Sequence, residues 1–279
     1  MTVSLIVCTR NRATALGACL AAIAAIRTSA AWELVVVDNG STDGTRAVID
    51  AFAAQVAIPV RAVMQPVPGL SNARNAGLAA AVGELILFTD DDCYVDPDII
   101  DATIAAFADP AVGYASGRVR LFDPADYPVT INESCTPLRF AAYRFLPAGA
   151  VKGANLAFRR EVLDAIGPFD PLFGSGALFP AEDADAAMRA SLAGWAGVYD
   201  PAIVVWHHHG RKAGDAAALY RSYDLGRGAF HAKLIGLRGG LKPGLRAWVG
   251  LPRRALARPA LLWGELRGAG WYWWKRLAG

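Results

Sequence analysis

The sequence predicts an α/β fold in which a mostly parallel β-sheet is flanked by helices. Three observations carry this. Short β-rich apolar runs alternate with helical stretches of about 10–15 residues, as in βαβ units. Runs such as Leu85, Ile86, Leu87, Phe88 are apolar throughout, as strands buried on both faces are. Polar clusters follow three of the runs, at 9–12, 38–45 and 90–92. In an open parallel sheet, ligands bind outside the carboxyl ends of the strands.

Residues 3–8 form the first strand, ending in Thr9, Arg10, Asn11 and Arg12, and an alanine-rich helix follows over 13–26. Residues 33–37 form the second strand, which runs into Asp38, Asn39 and a Gly-rich turn, with a helix over 45–56. A shorter strand spans 59–64, and a helix over 70–82 carries Asn72, Arg74 and Asn75. Residues 84–89 are the fourth strand and stop in Asp90, Asp91 and Asp92; a helix over 98–108 and a strand over 112–119 come next. Residues 120–150 hold several Pro and Asp with no clear period and read as a long surface loop. A strand–helix unit begins at 152. A helix starts near Pro180, a residue suited to a first turn, a strand ends near His207, and a helix covers 213–232.

Three adjacent carboxylates repel one another unless a cation sits among them. Mg²⁺ or Mn²⁺ prefers oxygen ligands and commonly keeps substrate phosphates in its shell. A metal–diphosphate site is therefore expected at 90–92, the other reading being a solvated acidic turn that caps the helix beginning near Pro97. The turn at 39–44 could hold a base or ribose closely, but it lacks G-x-G-x-x-G spacing, and no G-x-x-x-x-G-K-[ST] loop occurs. Asp183 heads the inward stripe Asp183, Ala186, Ala187, Ala190. A carboxylate there is either a helix cap or a poised base. Along a strand side chains alternate, so His207 and His209 share a face and His208 points the other way; imidazole is a common metal ligand.

With 54% hydrophobic and 19% charged residues, the 279-residue chain is globular rather than disordered. No apolar run approaches the roughly 18 residues of a spanning helix. The N-terminus reads as a strand, so no signal peptide is expected. Cys8, Cys19, Cys93 and Cys135 show no metal or redox spacing, in keeping with a reduced, cytoplasmic protein. The net charge of +3 hides an asymmetry: residues 232–279 carry ten Lys/Arg against the single acid Glu265 and five of the eight tryptophans. Leu256, Ala260, Trp263, Gly270, Trp274 and Leu277 fall on one helical face, although Gly264, Gly268 and Gly270 weaken a helix there. A basic, Trp-bearing amphipathic segment reads as one lying on an anionic membrane surface, peripherally at its inner face. Packing on the domain, or on a second protomer in a homodimer, is the alternative; no nucleic acid partner is expected.

The order and spacing of Val7-Cys8-Thr9-Arg10-Asn11-Arg12, of Val35-Val36-Val37-Asp38-Asn39-Gly40-Ser41-Thr42-Asp43-Gly44-Thr45, of Asn72-Ala73-Arg74-Asn75-Ala76-Gly77 and of Thr89-Asp90-Asp91-Asp92-Cys93 resemble the nucleotide-sugar half of a family 2 glycosyltransferase with the GT-A fold. Lys152-Gly153-Ala154-Asn155-Leu156-Ala157-Phe158-Arg159-Arg160 is similar to the family's G-x-N-x-A-F-R-R segment, and Glu182-Asp183-Ala184-Asp185 to its E-D-x-D element. Ala181 stands where the family usually has Gly, a departure expected to have little effect.

The resemblance implies a Rossmann-like GT-A domain over 1–231, its nucleotide-sugar half at 1–120 and its acceptor half at 121–231, followed by a basic, Trp-rich helical extension over 232–279. It implies an inverting, metal-dependent, non-processive transferase, since no Q-x-x-R-W run follows His209. The donor would be a nucleoside diphosphate sugar, a UDP-sugar being favoured, held by Thr9, Arg10, Arg12, Asp38, Asn39, Arg74, Asp90, Asp91 and Asp92. Asp92 with His207, or with His209 as the alternative, would ligate Mg²⁺ or Mn²⁺. Asp183 would be the general base, supported by Glu182 or Asp185, and Lys152, Gly153 and Asn155 would line the sugar and acceptor side. The acceptor would be a glycan or lipid-linked precursor. Two other classes stay open: a sugar-phosphate nucleotidyltransferase, which should open with a Gly-rich loop after the first strand, and a non-catalytic membrane-associated subunit that keeps the fold.

Overall fold

Strand β1 (Val3–Thr9) is buried along its length because it has strands on both sides and helices over both faces. The computed structural model describes residues 1–249, 256 and 259–278. The other strands are β2 (Trp32–Asp38), β3 (Val60–Met64), β4 (Leu85–Asp90), β5 (Cys93–Val95), β6 (Val112–Leu121), β7 (Leu138–Phe140), β8 (Asn155–Arg159) and β9 (Ala196–His207). They form one sheet in the order β3-β2-β1-β4-β8-β6-β9-β5, with β7 also on β9. The first four strands in that order are parallel, β8 enters antiparallel between β4 and β6, and β6 and β9 are parallel to each other.

The helices are α1 (Ala13–Ala24), α2 (Thr45–Ala53), α3 (Leu70–Ala80), α4 (Ile99–Ala106), α5 (Arg160–Ile166), α6 (Glu182–Leu192), α7 (Ala216–Gly236), α8 (Leu241–Val249) and α9 (Pro259–Ala278). Because side chains alternate along a strand, each central strand feeds two cores. Val3, Leu5, Val7, Leu34, Val36, Leu85 and Leu87 meet Leu16, Leu20, Ile23, Ile49 and Ile99 of α1, α2 and α4. Ile6, Val35, Val37, Ile86 and Phe88 face the other way, toward Ala73, Val162, Met188 and Phe230 of α3, α5, α6 and α7.

Residues 120–150 are not a plain loop. They contain β7, which pairs antiparallel with Gly197, Val198 and Tyr199. Likewise β5, which the sequence does not announce, pairs with Val205, Trp206 and His207. Both are three residues long, too short to show a period of two, and together they cover the outer edge of β9 at its two ends.

The expected boundary at 231/232 falls inside α7, a continuous helix, so the change in composition there is not a break in the chain's path. Gly264 and Gly268 do not prevent a helix. They lie within α9 where it crosses α7: an added Cβ at Gly268 would collide with the Leu225 carbonyl oxygen, one at Gly264 with Asp224 Cβ, and one at Gly228 of α7 with the Glu265 carbonyl oxygen. Close backbone approach, not flexibility, is what these glycines supply. Of the ten Lys/Arg of residues 232–279, Arg253, Arg254 and Arg258 lie outside the described residues. Among the described residues, no helix is long and apolar enough to cross a membrane.

Helix propensity alone favours Gly228→Ala by about 1 kcal/mol. The collision with α9 reverses the sign, and the substitution is expected to destabilise the chain by about 1–3 kcal/mol. Urea unfolding measures this, and an unchanged or higher midpoint would contradict the close crossing.

Candidate active site

The sheet brings the polar clusters together through its register. Thr9 lies beside Asp38 and Cys8 beside Asp90 at the ends of parallel strands. Because β8 is antiparallel to β4, its first residue Asn155 sits opposite Thr89, and the turn that precedes it, with Lys152 and Gly153, reaches the same edge. At the end of β9, His207 is opposite Cys93, and the next amide, that of His208, donates to the Asp92 carbonyl at 2.8 Å. A cavity of about 850 Å³ opens at this edge, lined by Thr9, Arg10, Arg12, Arg74, Asp90, Asp91, Asp92, Lys152, Gly153, Glu182, Asp183 and His207. That volume suits a nucleotide-sized ligand.

The three aspartates are not equivalent. Asp92 is held at both oxygens, Oδ2 by Arg12 at 2.7 Å and Oδ1 by His207 Nε2 at 3.1 Å. Burial alone would raise its carboxyl, but the hydrogen bond and charge of His207, with Arg12, hold it below the ordinary carboxylate value. Burial pushes Asp91 up to about 6, against Thr9 and against Arg12, whose Nε lies 3.3 Å away. Asp90 is also raised, by burial and then by the charge of Asp92, with Arg74 opposing.

The donor set fits a hard divalent cation. Asp90, Asp92, Cys93 and His207 each offer an atom within 4.8 Å of the others. Two ligands at right angles on an ion with bonds of about 2.1 Å stand about 3 Å apart, which is the Asp92–His207 spacing. Two carboxylates and an imidazole suit Mg²⁺ or Mn²⁺, and the buried Cys93 thiol, raised well above its usual value by burial, is the poor member of the set.

Asp183, which also lines the cavity, is in the first turn of α6. Its Oδ2 accepts from the Gly153 amide at 2.9 Å and its Oδ1 from the Ala184 amide at 2.7 Å. The Gly153 carbonyl accepts from Arg74 Nη2 at 3.1 Å, and Arg74 Nη1 donates to Glu182 at 3.0 Å. One residue, Gly153, thus links the base candidate to a buried cation. Burial pushes Glu182 up to about 7 against the pull of Arg74, and the charge of Asp183 adds to the rise. Burial also holds the Lys152 ammonium below its usual value, with Asp183 opposing. Asp185 faces away from the cleft and pairs with Arg189 and Lys233, both at 3.0 Å or less.

Ala181 departs from the family's Gly with a consequence that the sequence did not suggest. It caps α6 at φ 116°, ψ 27°, a region in which glycine is favoured and a side chain is strained.

Four expected site residues have their side chains engaged elsewhere. Asn155 is fully buried, and its amide donates to the carbonyls of Arg118 and Ile203, bracing β6 and β9 rather than lining the acceptor side. Asn39 holds the 65–69 segment through Gln65, Val67 and Gly69. Asp38 is engaged only in part: its Oδ1 accepts from the Ser41 amide, and it is buried with Oδ2 lacking a hydrogen-bond partner. His209 turns to Asp126, 3.7 Å away. His208, on the opposite side as expected, bonds Tyr94. Sequence reasoning missed Arg211, Tyr220, Tyr223 and Arg227, which α7 and the segment before it bring to the cavity; no motif or period marks them.

Two outcomes follow from the head of α6. Ala181→Gly is expected to stabilise the chain by about 1 kcal/mol as backbone strain is relieved, read as a higher urea midpoint. Glu182 holds its proton in the folded chain over a range in which the unfolded chain has lost it, from 4.5 to about 7. Its contribution is therefore present at low pH and falls as pH rises through that window. A urea midpoint that declines across the window less steeply in Glu182→Gln than in the wild type is expected; parallel curves would refute the buried, raised carboxyl.

Comparison with known proteins agrees with this geometry. Residues 4–167, more than half of the chain, match the Glycosyl transferase family 2. An uncharacterized glycosyltransferase of Nostoc sp. is 31% identical over 180 residues, 62% of this chain and 55% of that protein, so the chain spans about half the length of that relative. The glycosyltransferase AglE of Haloferax volcanii is 25% identical over 241 residues, 84% of this chain and 74% of its own. Among solved structures, the mannosyltransferase PcManGT from Pyrobaculum calidifontis, in complex with GDP-Man and Mn²⁺, superposes with a TM-score of 0.67 at 26% identity, over 95% of this chain and 73% of that one. S. aureus TarS in complex with UDP-GlcNAc gives 0.63 at 18% identity, over 87% and 69%, a likeness of fold alone. The mixed sheet and its helices are those of the GT-A glycosyltransferases, and the chain belongs to glycosyl transferase family 2.

Proposed function

We propose that the chain transfers a sugar, with inversion, from a nucleoside diphosphate sugar to a hydroxyl of a glycan or lipid-linked acceptor met at the membrane's inner face. The observation that carries this is the pairing of Asp92 Oδ1 and His207 Nε2 at 3.1 Å in the same cavity that Asp183 lines. The mannosyltransferase that holds GDP-Man and Mn²⁺ supports the donor class and the cation. The UDP-GlcNAc complex of TarS keeps a UDP-sugar in play beside a GDP-sugar.

Asp90, Asp92 and His207 would hold Mg²⁺ or Mn²⁺, which would supply a Lewis acid against charge on the departing diphosphate. Thr9 and Arg10 at the end of β1 would contact the donor from one wall, and Arg12 would keep Asp91 and Asp92 in place. Asp183 would take the proton from the attacking hydroxyl as general base. With Gly153 and Ala184 donating to it, its two oxygens keep free lone pairs aimed by fixed amides. Inversion follows if the acceptor enters from the Asp183 side, opposite the diphosphate. Arg74 would act on the head of α6 through Glu182 rather than on the donor.

Calorimetric titration with UDP, GDP, dTDP and CDP, first with Mn²⁺ and then with EDTA, tests the donor site. One nucleotide is expected to bind in a metal-dependent manner and to lose that binding in Asp92→Ala. Asp183→Asn is expected to keep nucleotide binding while turnover falls by about 10²–10⁴. A folded chain that binds none of the four would overturn the transferase reading and favour a non-catalytic subunit.

A further inference from the structure

The outer surface of the last two helices is unlike the rest of the molecule. On α8, Leu241, Leu245 and Val249 recur every fourth residue and are 54%, 53% and 78% exposed, while Gly244 and Ala247 are buried toward α7. On α9, Trp263, Leu266, Trp273, Trp274 and Leu277 form an outward apolar stripe at helical spacing, with Trp263 74% and Leu277 84% exposed. Its opposite side, Leu261, Glu265 and Tyr272, is buried. Nine large apolar side chains are exposed between 241 and 277; the other eight among the described residues are scattered over 1–220. Such a concentration marks an interaction surface rather than ordinary exposed carbon.

The charge of this face selects the partner. The only acid of residues 232–279, Glu265, is fully buried against Arg227 at 2.5 Å. Every ionised side chain that α8 and α9 show to solvent is therefore positive: Lys242, Arg246, Arg267, Lys275 and Arg276. The Lys275 ammonium sits 4.9 Å over the ring of Trp274, an aromatic body with a cation at its edge. A second copy of the chain would bring these like charges face to face, which disfavours a symmetric contact. Nucleic acid would leave the aliphatic stripe of α8 without a partner.

We propose that the outer face of α8 and α9 docks on an anionic lipid bilayer, its Leu, Val and Trp side chains entering the headgroup boundary and its Lys and Arg meeting lipid phosphates. Trp belongs at that level, and buried apolar area adds to electrostatic attraction. The proposal extends the reading of glycosyl transfer by naming the surface at which the acceptor is met, and its test is independent of catalysis. Helix α7 joins the two sites: Tyr220, Tyr223 and Arg227 line the cavity, while the same helix carries α8 and α9. A docked chain would thus be anchored through the helix that also lines its cleft.

Sedimentation of the full chain with vesicles tests this, phosphatidylglycerol mixed with phosphatidylcholine being compared with pure phosphatidylcholine. The wild type is expected to pellet with the anionic vesicles only, less so as salt rises. The double variant Leu245→Glu/Trp274→Glu is expected to bind about tenfold more weakly or worse, and Lys242→Gln about fivefold more weakly. Both should keep the wild-type melting temperature and nucleotide binding. A wild type that stays in the supernatant at low salt, or a folded double variant that binds as well as its parent, would overturn the proposal. So would a dimer in light scattering that the double variant abolishes while vesicle binding is absent.

Discussion

The structure turns on a single buried cation. Arg74 is 2% exposed, its guanidinium 5.3 and 5.6 Å from the ring centroids of Phe88 and Phe169, which themselves meet edge to face. A charge in such a place must be matched, and its matches come from three separate parts of the chain: Glu182 on α6, the Gly153 carbonyl before β8 and, at 3.8 Å, Asp90 at the end of β4. The packing of α3 on the sheet thereby sets the positions of the residues proposed to hold the cation and of the residue proposed to take the proton. Gly153 makes the link short, since its carbonyl faces Arg74 and its amide faces Asp183.

The same economy appears in the acidic triplet. Three identical side chains in a row receive three environments, because the strand end turns between them. Asp92 has Arg12 and His207 at hydrogen-bond distance, Asp91 is buried with Thr9 and, at 3.3 Å, Arg12 beside it, and Asp90 is half-buried, 3.8 Å from Arg74 and close to the charge of Asp92. Identical chemistry in sequence becomes graded proton affinity in space.

Much of the first half was legible in sequence because its information is local. Uniform apolar runs give strands buried on both faces, and the polar residues that follow them land at one edge by the rule for parallel sheets. The meeting of Asp92 and His207 was not legible from spacing. It depends on β5, three residues long, pairing with the end of β9, Cys93 opposite His207 far along the chain, and only the family pattern pointed to it. Asn155 shows the opposite case: its motif was readable, but its side chain braces strands. Ala181 could be seen to replace a glycine, yet a sequence does not reveal that the position has a positive φ. The wall supplied by α7 escaped because Tyr220, Tyr223 and Arg227 lie on a helix whose pattern says only that one side is buried.

The antiparallel strand β8, seated between β4 and β6, also sets the order in which the chain can be completed. Until residues 155–159 have left the ribosome, β4 has an open edge, and its apolar residues Leu85 to Phe88 lie beside unpaired backbone. Strand β6, made earlier, has no partner within the first 121 residues, since its neighbours in the sheet are β8 and β9. The first 121 residues are thus not a self-sufficient folding unit. Their sheet closes only when β8 is inserted into it, and an interrupted chain would present an adhesive edge of the kind that leads to aggregation. Residues 1–120 and 121–231 are joined in one sheet by a strand of the second segment that pairs with strands of the first.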